Sequence, residues 1–186
     1  MSRARSIAVA LASAPTRSLR ATLVGRVPLS PLIKTGTVDF LFMSGRAARF
    51  NTAGVNCVYF AEDEATAAAE YERHTRALHQ PFATFFAEVE LAAVLDLCSA
   101  ATLQGLGFTA PDLQVNWLRA KRPTAMRLLG EKASQQARLA AIRFPSDAAR
   151  RKGFAGANVA IFYDTMLRSD YVHILGPTRK PLQKWP

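Results

Sequence analysis

The motifs of the common nucleotide and metal enzymes are missing from this chain. It holds no GxxxxGK[ST] phosphate loop, no GxGxxG after a strand, no HExxH and no paired CxxC. Its three histidines, His74, His79 and His173, lack metal-ligand spacing beyond one pair, so no metal is expected. Two cysteines, Cys57 and Cys98, are too few for a disulfide framework. Both lie in apolar runs and read as small core hydrophobes in a reducing compartment. No run approaches the ~20 apolar residues of a membrane span, which argues against a membrane partner. Acidic residues are scarce too, 14 Asp and Glu against 24 Lys and Arg.

The resulting net charge of +10 calls for an anionic partner. The excess is mostly arginine and scattered, with short clusters such as Arg150-Arg151-Lys152. Nucleic acid favours a concentrated stripe, so direct binding to it is not expected. At 186 residues, 49% hydrophobic and 20% charged, the chain reads as one globular domain with a sizeable core. Met1 to Pro15 mimics a signal peptide, with Arg3 and Arg5 before Ile7 to Ala14. Its apolar part is short, and an extension or an N-terminal helix is the expectation there.

Strands are expected at Ala21 to Val27, Val55 to Ala61, Phe82 to Leu91, Val94 to Leu97, Ala140 to Phe144, Asn158 to Tyr163 and Tyr171 to Leu175. The near-continuous apolar run of Asn158 to Tyr163 marks a central strand. Pro28 to Gly36 reads as loop, and Val38 to Met43 as strand or half-buried loop. A helix is expected from Glu64 to Leu78, with Asp63 as its N-cap and Pro81 beyond its end. Between Leu113 and Leu139, broken at Pro123, two helices are expected: one around Trp117, another carrying Met126, Leu128, Leu129 and Leu139. Strands interspersed with helices without regular alternation favour an α+β fold.

The richest stretch is Arg49 to Glu70: an arginine loop, the Gly54 turn, a strand with Tyr59, then an alanine-rich helix. Glu70 has Thr66, Ala67, Arg73 and His74 as helical neighbours. It is either solvated surface, with Arg73 as an ordinary partner, or set in a helix packed so closely that only alanine fits. In the second case its charge must be paired or used. Arg26, Arg46 and Arg49 offer forked guanidinium groups suited to a phosphate, or are exposed loop arginines. Tyr59 is a core aromatic with its hydroxyl at a rim, or a ligand contact. Ser146 caps the segment Asp147 to Arg151, or binds a ligand.

Together these residues resemble the signature of the RES-domain family, named for an arginine, a glutamate and a serine. The run RFNTAGVNCVYFAEDEATAAAE carries Arg49, Asn51, Gly54, Tyr59 and Glu70 of that pattern. Leu129-Gly130, then Phe144-Pro145-Ser146 followed by Asn158-Val159-Ala160-Ile161-Phe162, resembles its later blocks. Arg26 matches the arginine near the end of the family's first strand. Phe50 replaces the usual tryptophan. Arg46 and Arg49 share a place the family often fills with Gly-Gly-Arg, and Asp147 follows the serine where a small residue is common.

The resemblance implies an ADP-ribosyltransferase-like α+β fold, with central mixed or antiparallel sheets and flanking helices. It divides the chain into an extension at 1–18, a RES domain at 19–177 and a basic tail at 178–186. It also implies a cytoplasmic toxin that degrades NAD+, replacing nicotinamide with phosphate or water, and is neutralised in a complex with an Xre-type antitoxin. NAD+ is then substrate and phosphate a co-substrate, with no further cofactor. The catalytic set implied is Glu70, Arg49, Tyr59 and Ser146, and the ligand-binding set Arg26, Arg49, Arg46, Asn51 and Tyr59. A protein ADP-ribosyltransferase, a basic nucleic-acid-binding module and an inactive relative are the rival readings.

Overall fold

The computed structural model describes residues 3–28, 47–74, 81–117, 119–175 and 181–185. The expected features at 29–46 and 75–80, Arg46 and His79 among them, lie outside these residues, as does the side chain of His74.

The strand Ala157–Phe162 (β5) is buried at all six positions, as its unbroken apolar run demands. Val159 and Ile161 face one core cluster, while Ala160 and Phe162 face another. Its neighbours are Cys57–Ala61 (β2) and Ala141–Pro145 (β4), both antiparallel to it. The remaining strands are Thr16–Pro28 (β1), Phe82–Asp96 (β3), Tyr171–Leu175 (β6) and Pro181–Trp185 (β7). The order is β1-β2-β5-β4-β3-β6-β7, and β1 also pairs with β3. Five strands therefore close into a ring, and β6 and β7 extend it from β3. Among the described strands only β3 with β4 is parallel. This is the mixed, mainly antiparallel α+β architecture expected.

The helices are Arg3–Ser13 (α1), Glu64–His74 (α2), Ala100–Gly105 (α3), Ala110–Leu113 (α4), Ala125–Ala133 (α5) and Asp147–Arg151 (α6). Helix α1 buries Ile7 and Leu11 in the cluster that also holds Met126 and Leu129 of α5. The Arg138 guanidinium donates to the carbonyls of Leu11 and Ala12 at 2.7 and 2.6 Å, capping α1 with a cation.

Several expectations are corrected. Strand β3 is one element of 15 residues, not two, because β1 covers one edge while β6 and then β4 take the other. Its inward set is Phe85, Ala87, Val89 and Leu91; Phe86 is out of phase with Val89 and points outward. Trp117 lies in a turn, since the chain closes a four-residue helix at Leu113 and turns again between Asn116 and Arg119. Leu139 lies beyond α5, which stops at Ala133. Cys57 is a core residue, but Cys98 is exposed in the turn after β3. The tail supplies β7, paired with β6. Among the described residues no helix is long and apolar enough to cross a membrane.

Candidate active site

Helix α2 starts where sequence chemistry puts it. Asp63 accepts the Thr66 N–H at 2.7 Å and the Thr66 hydroxyl at 2.8 Å. Thr66, Ala67 and Ala69 are buried, and Ala67 packs with Val24 and Ala61. Small side chains let α2 lie close on β1 and β2, which leaves Glu70 half-buried above the sheet. Its Oε1 accepts from the Ser146 hydroxyl at 2.7 Å and from Asn158 Nδ2 at 2.8 Å. Ser146 comes from the β4–α6 junction and buried Asn158 from β5. Ser146 Oγ also accepts the Ala149 N–H at 3.0 Å. Of the two readings of Ser146, the cap is present, and the same hydroxyl orients Glu70.

The loop before β2 is built as tightly. Gly54, at φ 88°, makes its turn in the left-handed region that glycine reaches without strain. The Tyr59 hydroxyl, rising from β2, accepts the Phe50 N–H and donates to Asn51 Oδ1, both at 2.9 Å. Burial pushes the Tyr59 phenol well above its ordinary value, so it acts as a neutral donor. Phe50 is fully buried, its ring 4.6 Å from that of Phe144. Helix α5 presses on the same backbone: a Cβ at Gly130 would stand 1.7 Å from the Phe50 carbonyl oxygen. Arg127 of α5 donates to the Ala48 carbonyl at 3.0 Å.

This scaffold sets the charges. Arg49 is buried, its Nη1 donates to the Leu113 carbonyl at 2.7 Å, and its guanidinium lies 5.6 Å from the Phe144 ring centre. Burial lowers its pKa, while the charge of Glu70 acts in the opposite direction. Arg26 lies over Phe82 at 4.5 Å, and its buried Nε has no hydrogen-bond partner among the described residues. Arg73 does not serve merely as a helical neighbour of Glu70: it reaches Asp147 at 2.9 Å. Asp147 also binds Arg150 and Arg151, at 2.6 and 2.9 Å.

These walls enclose a cavity of about 520 Å³, within the ~300–1,000 Å³ of small-molecule sites. Arg26, Arg49, Arg73, Tyr59 and Glu70 line it together. Ser146 and Asn51 are not in the lining; they hold Glu70 and Tyr59, which are. Arg46 lies outside the described residues. Sequence reasoning missed Asn158, Arg73, Trp117 and Phe144, which also line the cavity. Asn158 could have been found as the one polar residue of a buried strand; Trp117 was read only as part of an expected helix, with nothing in its segment to mark a cavity wall. A fixed carboxylate sharing a cavity with three guanidiniums can bind a phosphate-bearing ligand and stabilise positive charge developing beside it. Among the described residues no group of three or more His, Cys, Asp or Glu is placed to hold a metal ion.

Comparison with known proteins bears on the family and the fold. The family model described as the RES domain matches residues 37–179. Compared with the curated proteins, the sequence has no significant match. Among solved structures the fold is similar to a chain of the M. tuberculosis MbcT–MbcA toxin–antitoxin complex, at a TM-score of 0.66 and 14% identity. The similarity covers 98% of this chain and 92% of that one.

Proposed function

The chain belongs to the RES-domain family, and we propose that it is an NAD+-degrading toxin that breaks the nicotinamide–ribose bond. One observation carries this reading: the Glu70 carboxylate is held by Ser146 and Asn158 in a cavity that it shares with three arginines. Departure of nicotinamide leaves positive charge on the ribose, as in glycoside hydrolysis. A carboxylate beside that carbon stabilises the transition state more than the neutral ground-state ribose. Two donors on Oε1 fix its direction before the substrate arrives, so little reorganisation is needed during reaction. Arg26 and Arg49 hold the pyrophosphate, the Nε of Arg26 being a buried donor without an acceptor among the described residues. Tyr59 packs against the ribose or nicotinamide, and phosphate or water takes the vacated bond.

The neighbouring fold was solved in a toxin–antitoxin complex. By extension we assign this chain a neutralising antitoxin partner of Xre type, forming a hetero-oligomer that closes the cavity, and a cytoplasmic site of action. The test is to incubate the protein with NAD+, with and without phosphate, and to follow nicotinamide release. Release, with ADP-ribose or its phosphorylated form as the second product, supports the proposal. Transfer of label from NAD+ to a protein band would move the assignment to a protein ADP-ribosyltransferase, and no loss of NAD+ would end it.

A further inference from the structure

The pair Arg73–Asp147 has no place in the scheme above, yet Arg73 lines the cavity and Asp147 is among the most buried charges described. Arg73 stands one helical turn after Glu70, which puts its side chain next to the carboxylate on the same face of α2. Its guanidinium meets Asp147 at 2.9 Å, with side-chain exposures of 19% and 2%.

Asp147 does not neutralise Arg73 alone. The same carboxylate accepts from Arg150 and Arg151 of its own helix, on side chains 55% and 56% exposed. One carboxylate shared by three guanidiniums leaves an excess of two positive charges, and only Arg73 of the three reaches the cavity. The arrangement resembles a lever with a fixed end. Arg150 and Arg151 hold Asp147 from the surface, and Asp147 holds Arg73 from the inside. A planar fork anchored through Nη1 alone keeps other N–H groups for a second oxyanion.

We propose that Arg73 is an oxyanion-binding residue next to Glu70, and that Asp147 is the positioning residue that aims it. The ligand chemistry is a phosphate oxygen, supplied either by inorganic phosphate as the acceptor or by the pyrophosphate of the dinucleotide. The proposal rests on the cavity being the site of a phosphate-bearing ligand, as argued above. It accounts for Asp147, a buried negative charge behind the lining of a site for anions. Its charge is spent on three arginines, and its effect is to hold a cation in place.

The experiment has a kinetic and a binding arm, with Arg73→Gln, Arg73→Lys and Asp147→Asn. In nicotinamide release, Arg73→Gln is expected to raise the KM for one phosphate-bearing reactant about ten- to a hundredfold, the effect of one charged hydrogen bond. A rise confined to inorganic phosphate assigns the acceptor; a rise confined to NAD+ assigns the pyrophosphate. Asp147→Asn is expected to move the same KM by less, and Arg73→Lys, which keeps the charge, to recover part of it. In the binding arm, inorganic phosphate and pyrophosphate are titrated onto each variant by calorimetry, with no turnover required. Weaker binding in Arg73→Gln supports the inference even if NAD+ is not consumed, in which case only the functional reading falls. Wild-type cleavage of NAD+ with both KM values and both affinities unchanged in Arg73→Gln overturns the inference and leaves the reading standing.

Discussion

The Ser146 hydroxyl donates to Glu70 Oε1 at 2.7 Å while accepting the Ala149 N–H at 3.0 Å. One side chain therefore starts a helix and aims the carboxylate of another, 76 positions away. The cap and the bond that orients Glu70 coincide in it, and a single substitution removes both.

Ser146→Ala is expected to destabilise the fold by about 1–3 kcal/mol, from the lost cap and the lost bond to a charged acceptor. Ser146→Asn can still cap but has no hydroxyl at that place. It should recover most of the stability and little of the nicotinamide release. Chemical denaturation and the release assay on the two variants separate the roles.

Helix α5 touches the Arg49 loop through Gly130, where a methyl group would stand 1.7 Å from the Phe50 carbonyl oxygen. Gly130→Ala must push the backbone of Phe50 away, an overpacking that typically costs ~1–3 kcal/mol. The displaced loop carries Arg49, so ligand affinity should fall with stability. Gly105→Ala, with open space around its Cβ, serves as the control and should change neither.

Acid should loosen the Asp147 cluster. Burial alone raises this carboxyl, but bonds from Arg150 and Arg151 and the charge of Arg73 hold it below its ordinary value. A carboxyl with a depressed folded-state pKa contributes stability above its unfolded value of ~3.9 and loses it as pH falls below that. The urea midpoint of the wild type should fall more between pH 7 and pH 3 than that of Asp147→Asn, which starts lower. Equal falls would show that the cluster adds nothing to the acid sensitivity.

Much of this was legible in the sequence, for reasons that differ by residue. The α+β class followed from element order, and β5 from a run with no polar alternation. Asp63 was readable as a cap because capping is local chemistry. Composition left Glu70 undecided between solvent and a close-packed face, and the family pattern favoured the second. The structure supplies the reason: its acceptor atom is met by donors from two other elements. The bond of Asn158 to Glu70 and the pairing of Asp147 with Arg73 escaped because those partners are set by sheet register and helix packing, which no local window contains. Helix α3 escaped because six residues are too few for a period to register. The helix expected around Trp117 failed because tertiary packing sets that segment.

The most direct test of the account is nicotinamide release from NAD+ by the wild type and by Glu70→Gln. The substitution keeps the size of the side chain and an acceptor for Ser146 and Asn158, but removes the negative charge. The account predicts a rate lower by ~10²–10³ at saturating NAD+, the typical worth of one electrostatic contact in a transition state. Release by Glu70→Gln at the wild-type rate would contradict it.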